Sequence, residues 1–552
     1  MSSRRVSASA LSLKVLLLLL WAGLVYASEP VFAWDYVDSW FMGGLLLLIL
    51  AAVPWTRTGD YGKRMTTAGL YSLAAFTVFV GVAMVSSGSL FRASAYHDLL
   101  GPVETMGKFA DALPPVDLQS APLVDESMAR RVAEKRLSDV PGMGSSYRVG
   151  AMVKQRIGSK LFWVGFLQYN SFFVQLNQGF TPGYVRVSAT DPSNVELVTS
   201  LGNEKLQLRY VASAMFAKNV ERYAYLNGYM SQGIEHFVPH LDEAGRPMYI
   251  ATLYRHAVGF AGADATGVVS IDAQTGDIKE YSLTNAPAWI DRIQTEDMLE
   301  EQITDNGYYV PGHAFGGWLN PSNEGRQKPS GGLVFADAKT SSEWYTGVSN
   351  FLASDTSISG FMLIDARTKK VRLYQLAGVS EDAAAKAALG SIPEKRYQAT
   401  YPLPFSLDGV PTYIMTLKDA TGIARAYAMV SIANYQAWAV GDTLTSTLRA
   451  YQGKLASDSS KTSANQGPAK AVKIDSSVWR IAADTHGGST MYYVALETDD
   501  KHLFVGSIDL NEKIALTRTG DHVVLTYADG DARVLNMQSF DNLSIGQGRK
   551  AQ

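Results

Sequence analysis

Val268–Tyr281 reads VVSIDAQTGDIKEY, and Phe361–Tyr374 reads FMLIDARTKKVRLY. In both, apolar residues alternate as on a strand, pass through a polar turn and alternate again. Asp272 and Asp365 can accept hydrogen bonds from backbone amides just ahead of them, and Gly276 supplies the positive φ that a tight turn requires. Gly183–Leu197, GYVRVSATDPSNVEL, carries a degenerate form of the same hairpin.

Working outward, a helix and strands surround each hairpin. Asp125 can cap a helix over Asp125–Leu137, with Met128, Ala129, Val132, Ala133 and Leu137 on one stripe. Tyr147–Arg156 and Leu161–Tyr169 read as the strands that follow. Asn219–Met230 is a candidate helix ahead of Val268–Tyr281. Ser380–Leu389, SEDAAAKAAL, is a well-marked helix with Ser380 as its cap and acidic residues in its first turn. Tyr397–Tyr401, Thr412–Leu417 and Ala426–Ile432 are the strands after it, and Asp442–Tyr451 closes the region as a helix.

This order, with the string V-x-I-D-A-x-T-G-x-I best matched at Val269–Ile278, resembles the PepSY type of extracytoplasmic module. The resemblance covers residues 125–450 in pieces. It implies a binding or inhibitory role in a membrane-anchored or secreted bacterial protein, and no catalysis; it names no ligand.

Three apolar runs precede the modules. Val15–Tyr26 stands behind Arg4, Arg5 and Lys14. It reads either as a transmembrane helix or as a signal peptide cleaved after Val25-Tyr26-Ala27. Ser39–Trp55 is uncharged, with Trp40 and Trp55 at interfacial positions. Ala68–Leu90, which contains Leu70 and Phe79, is long enough to span a hydrocarbon core of about 30 Å. Arg57, Lys63 and Arg64 lie between runs two and three, whereas Glu29, Asp35 and Asp38 lie between runs one and two. Basic flanks stay in the cytoplasm, so the chain beyond about Arg92 is expected outside it. No charged residue lies within runs two or three, which suits an anchor better than an ion pathway.

The expected fold class is therefore α+β: N-terminal transmembrane helices, repeated helix-plus-antiparallel-sheet modules of PepSY-like form, and a C-terminal small β-barrel. The expected divisions are a membrane anchor of two or three transmembrane helices over 1–92 and a membrane-proximal linker over 93–124. Modules follow over 125–284, an irregular insertion over 285–340 and a further module over 341–453. A Ser/Lys/Gly linker over 454–471 leads to an OB- or SH3-like barrel over 472–552, where short strands alternate with Gly/Asp turns.

Composition narrows the function. Net charge is −3 and cysteine is absent. A phosphate-tracking nucleic-acid binder should carry a basic excess, and the barrel's Asp499, Asp500, Asp521, Asp529 and Asp531 oppose phosphate, so no nucleic-acid partner is expected. Without Cys there is no thiolate nucleophile and no Cys-ligated metal. His236 and His240 share the string EHFVPH, but Pro239 breaks the helix that would align them on a metal, so they read as a surface or strand-edge pair. No G-x-S-x-G, Walker A or dinucleotide fingerprint occurs.

No catalytic, cofactor-binding or metal residue is assigned, and no cofactor is expected. The expected role is a membrane-anchored binding, scaffold or regulatory protein of the cell envelope. It would be multi-pass in the inner (plasma) membrane, with lipid, a protein partner and a homo-oligomer as its associations. Two alternatives stand beside it. One is an envelope hydrolase whose site lies in the 285–340 insertion, with His313, Asp291 and Glu324 as candidates. The other is a subunit of an oligomeric pore or transport complex.

Overall fold

Apolar helices come first: α1 (Ala8–Ser28), α2 (Val37–Ala52) and α3 (Gly59–Ser87). They are described by a computed structural model that covers residues 8–52, 59–113, 121–309, 327–337, 342–350, 356–407, 409–434, 436–462, 471–486, 489–508, 510–528 and 534–545. Trp55 and Arg57 lie outside the described residues, and Lys63 and Arg64 fall on the first turns of α3. The chain divides into two units, residues 1–108 with 124–376, and residues 109–123 with 377–552.

In unit 1, α1 and α2 pack together through Lys14 Nζ donating to Leu50 O at 3.1 Å and Trp21 Nε1 donating to Met42 O at 3.1 Å. Trp40 stacks near Phe76 and Phe79 of α3, at centroid distances of 5.7 and 5.5 Å. A short helix α4 (Ser89–Asp98) leads to β1 (Val103–Met106).

Three sheet modules follow. In the first, α5 (Glu126–Ser138) is capped by Asp125, whose side chain accepts from Met128 N at 2.9 Å. It covers an antiparallel meander of β2 (Tyr147–Ile157), β3 (Lys160–Tyr169), β4 (Tyr184–Ser188) and β5 (Val195–Val198). Helix α6 (Phe172–Gln178) sits between β3 and β4. The second module has the short α7 (Val220–Ala224), then β6 (Gly233–Leu241), β7 (Pro247–Val258), β8 (Ala261–Asp272) and β9 (Ile278–Ser282), again in sequential order.

The third module has α8 (Glu296–Tyr308), then β10 (Gln327–Pro329), β11 (Val334–Asp337), β12 (Ser342–Asn350), β13 (Ser357–Asp365) and β14 (Val371–Val379). Its outer strand is β1, paired in parallel with β14, Val103 opposite Val371. The expected membrane-proximal linker is thus in part a strand of a sheet formed some 250 residues later. Residues 285–340, expected as an irregular insertion, contain this module's helix and two of its strands.

The hairpin turns obey the expected chemistry. Asp272 Oδ1 accepts from the amides of Gln274 and Thr275 at 2.8 and 3.1 Å, and Gly276 has φ +83. Asp365 Oδ1 accepts from Arg367 and Thr368 at 3.0 and 2.8 Å, with Lys369 at φ +61 where the other turn has glycine. The alanine after each aspartate is wholly buried and does more than fill space. Ala273 O accepts from both Arg209 N and Tyr210 N, at 2.8 and 2.9 Å. Ala366 O accepts from Ile293 N and Gln294 N at 2.8 and 2.9 Å, and Ala189 O accepts from Val124 N at 2.9 Å. The segment entering each module is pinned to that module's own hairpin.

Unit 2 repeats the plan once. Helix α9 (Glu381–Gly390), capped by Ser380, precedes β15 (Gln398–Ala399), β16 (Leu403–Leu407), β17 (Val410–Lys418), β18 (Ala424–Ser431) and β19 (Trp438–Gly441). Val379 N donates to Ile432 O at 2.9 Å, the counterpart of the pinning bonds above. Helix α10 (Leu444–Thr462) runs into the stretch expected as a linker. The core includes Ala121 and Leu123 beside Phe405, Ile414, Met429 and Tyr451, and Thr416 Oγ1 donates to Leu123 O at 3.2 Å.

The terminal strands are β20 (Ala471–His486), β21 (Ser489–Leu496), β22 (Asp499–Ser507), β23 (His522–Ala528) and β24 (Val534–Asn542). They close as β20-β21-β22-β24-β23, with β22 parallel to β24 and the long β20 pairing at both ends of the order. That is a five-stranded Greek-key barrel.

The expected fold class is corrected on two counts. Strand outweighs helix, 41% against 32%, because the modules are long meanders behind short helices. Among the described residues, one helical stretch, Thr67–Ser87, is long and apolar enough to cross a membrane. The apolar parts of α1 and α2, Ser12–Ser28 and Val37–Leu50, are shorter. The 16 residues of α2 rise about 24 Å, under the roughly 30 Å of a hydrocarbon core.

Because Leu123 lies in the core of unit 2, Leu123→Ala should lower the stability of that unit by about 2–3 kcal/mol. Hydrogen exchange of the β17 and β18 amides should quicken accordingly, while the barrel strands exchange at unchanged rates.

Candidate functional site

Pro287–Ile293, PAWIDRI, connects the second module to the third and puts two charges where none is comfortable. Ile290 and Ile293 are fully buried on either side of Asp291 and Arg292, which are themselves only 6% and 7% exposed. Asp291 Oδ1 meets His240 Nε2 at 2.9 Å, and Asp291 Oδ2 accepts from Arg156 N at 3.0 Å. Arg292 Nε reaches Asp291 at 3.4 Å, and its guanidinium lies 3.8 Å from the Phe335 ring centroid. The guanidinium also donates to Lys154 O. Lys154, in turn, donates to Phe335 O at 3.4 Å and faces Trp163 at 5.2 Å. All three modules of unit 1 contribute.

Electrostatics follow from this packing. Burial alone would raise the Asp291 carboxyl; Arg292 and His240 outweigh it and hold it below the ordinary carboxylate range. Burial lowers His240, against the pull of Asp291. Burial, with Arg292 nearby, brings the Lys154 ammonium down to about 8. His240 Nδ1 is buried without a hydrogen-bond partner.

Beside this network opens a cleft of about 610 Å³, lined by Asp291, Arg156, Arg367, Asp242, Trp289 and the exposed Glu243. Asp365 also lines it, so one of the expected turn residues borders the site. Both signs of charge face a concave surface beside an indole, which suits a ligand carrying its own paired charges.

Of the hydrolase candidates, Asp291 is at the cleft, and His313 and Glu324 lie outside the described residues. His236 and His240 both lie on β6, the edge strand of its sheet, but they face different surroundings: His236 is exposed at φ +60, and His240 is fully buried against Asp291. The signal was present as apolar residues flanking Asp291-Arg292, which no water-facing loop requires. Among the described residues no group of three His, Asp or Glu side chains is arranged to hold a metal.

A second feature lies where the apolar helices meet the second module. The loop between α1 and α2 docks on it. Tyr36 is buried and donates to Tyr254 O at 2.9 Å, and its ring lies 4.4 Å from that of His256. His256 Nδ1 donates to Asp35 O at 2.8 Å. Arg222 pairs with Glu29 at 2.7 Å and lies over the Tyr26 ring at 4.7 Å. Tyr225 donates to Pro30 O at 2.8 Å, and Phe32 N to Met230 O at 2.7 Å. Tyr96 of α4 donates to Ser87 O at the end of α3 at 3.0 Å, and a Cβ on Gly259 would collide with Ser87 Oγ. Trp40 is 6.4 Å from Phe260 at the β7–β8 tip, whereas Leu70 is half exposed on α3.

A further cavity, about 490 Å³, is lined by His97, Asp98, Val103 and Asn306. Beside Asn306, Asp305 keeps one buried carboxylate oxygen without a partner. Burial and then Glu301 push its carboxyl up to about 6.

No protein-family model matches this chain, and no curated protein matches it. Two solved structures are similar in part. A Bombyx mori GH32 beta-fructofuranosidase is 10% identical, covering 75% of this chain and 70% of its own, at a TM-score of 0.16. A B. megaterium levansucrase mutant is 8% identical, covering 78% and 96%, at a TM-score of 0.20. Both are enzymes, so the expected exclusion of catalysis is dropped. At these TM-scores neither lends its fold or its activity to this chain.

Two outcomes are expected. Asp291→Ala leaves Arg292 buried without its carboxylate and should cost about 3–5 kcal/mol, read as a lower urea midpoint. Asp305→Asn should act through pH. The raised carboxyl contributes stability below about pH 4 that is lost as pH climbs through about 6. The variant should therefore melt higher than wild type at pH 7.5 and equally at pH 4.

Proposed function

We propose that this is a membrane-anchored extracytoplasmic binding, scaffold or regulatory protein of the cell envelope. Its PepSY-like modules hold a protein partner at the Asp291 cleft. α3 crosses the inner (plasma) membrane, with α1 and α2 packed together beside it. The portion after α4 lies outside the cytoplasm.

The observation that carries this reading is the docking of Glu29–Tyr36 on the second module. The acidic loop and the outer end of α3 both touch the same sheet, so α1 and α3 end on one side and the basic Arg57–Arg64 stretch belongs to the other. Exposed Leu16, Leu19, Leu20, Phe79, Val82 and Val85 on these helices make an apolar surface larger than a water-soluble protein keeps. The polar and ring contacts at the loop and around Asp291 stiffen the mount; a binding module gains from such preorganisation.

Crosslinking in intact membranes tests it. A tag at Gln552 should be cleaved by protease added to spheroplasts. A partner or a second copy should be recovered with the wild-type chain and recovered less with Glu243→Arg, which reverses an exposed charge lining the cleft. A protected tag, or recovery of neither partner nor second copy, overturns the proposal.

A further inference from the structure

We propose that the first module dips an uncharged apolar knob into the outer leaflet of the same bilayer that holds α3. The knob is formed by α6 and the turn before α7. This rests on the membrane anchoring proposed above and adds a second, peripheral contact to it.

The knob stands out by composition. From Asn170 to Val185 the chain has no charged residue, nor has it from Val211 to Ala217. On α6, Phe173 is 71% exposed and Leu176 67%; on the neighbouring turn Phe216 is 63% and Met215 45%. The two pieces form one surface: Met215 N donates to Gln175 Oε1 at 2.8 Å, and the Phe172 and Phe216 rings meet edge-to-face at 6.3 Å. Phe216 takes φ +57, a left-handed conformation that a bulky residue seldom adopts. A fold that holds a phenylalanine outward in that conformation gains nothing from it in water.

Position identifies the occupant. The Phe216 turn runs directly into α7, which Asn219 caps by accepting from Arg222 N at 3.1 Å. Arg222 is the residue paired with Glu29 and laid over Tyr26 at the outer end of α1. Six residues separate Phe216 from Arg222, a reach of at most about 20 Å. Leu226 and Met230 just after α7, and Trp34 in the docked loop, are also exposed apolar groups. The knob therefore lies within that reach of the residue docked on the outer end of α1, and exposed apolar and aromatic side chains stand on both. Lys218 sits at its edge, with its ammonium over the Tyr210 ring at 4.2 Å, placed for lipid phosphate. An uncharged apolar tip with one cation at its edge suits the acyl chains and phosphates of a lipid surface.

The chain lacks cysteine, so single-cysteine labelling has no background. The full chain would carry Phe173→Cys, Leu176→Cys or Phe216→Cys, each labelled with an environment-sensitive fluorophore. Each would be reconstituted in phosphatidylcholine–phosphatidylglycerol vesicles containing lipids spin-labelled near the headgroup or deep in the acyl chain. Val78→Cys on α3 and Lys205→Cys on an exposed turn serve as references. Shallow spin labels should quench positions 173, 176 and 216 at least twofold more than position 205, and deep labels should quench position 78. Quenching at 78 without quenching at 173, 176 and 216 overturns the knob and spares the anchor. No quenching at 78 overturns the anchor itself. A blue-shifted but unquenched label at 173 or 216 means a protein surface covers the knob, and also overturns the lipid assignment.

Discussion

A carbonyl that accepts one or two backbone amides from the entering segment closes each module. Ala273 O and Ala366 O each receive a pair of backbone N–H groups from the segment that enters their module, and Ala189 O and Ile432 O receive one each. A connector crossing the end of a sheet must place its amides somewhere, and an orphaned buried amide costs about 1–3 kcal/mol. Here the acceptor is supplied by the hairpin turn at the module's far end. The Asp of the turn fixes the loop, the turn aims the following carbonyl, and the carbonyl clamps the entry. The wholly buried alanine is the residue that allows the connector to approach so closely.

That closure explains why the connectors carry the polar network. Once Ile293 and Gln294 are tied to Ala366, the two preceding residues, Asp291 and Arg292, are forced into the joint among three modules. Two opposite charges are then buried together, and His240, Arg156 N, Lys154 O and Phe335 supply the remaining contacts. A buried ion pair of this kind adds little stability over apolar residues of the same shape, but removing one partner is expensive. Its plain consequence is a stiff joint with a charged cleft beside it.

The same stiffness reaches the apolar helices. Tyr36 and Glu29 bind the second module, Gly259 of that module closely approaches Ser87, and β1 binds the third. Lys369, beside the third module's turn, donates to Leu99 O at 2.9 Å and pairs with Asp264 of β8. Ala121 and Leu123 meanwhile belong to the core of unit 2, where they pack beside residues that come far later in the chain.

Local chemistry was legible in the sequence. The turns at Asp272 and Asp365, the caps at Asp125 and Ser380 and the apolar run over Thr67–Ser87 all depend on neighbours a few residues apart. A linear reading contains such neighbours. Only the tertiary structure decided that Ala273 and Ala366 are acceptors, that His240 is buried on Asp291, that Val103 pairs with Val371 and that Leu123 packs beside Ile414. In each case the partner lies tens to hundreds of residues away. Burial, which turns an ordinary alanine, histidine or aspartate into a structural necessity, is a property of the folded surroundings and not of the residue itself.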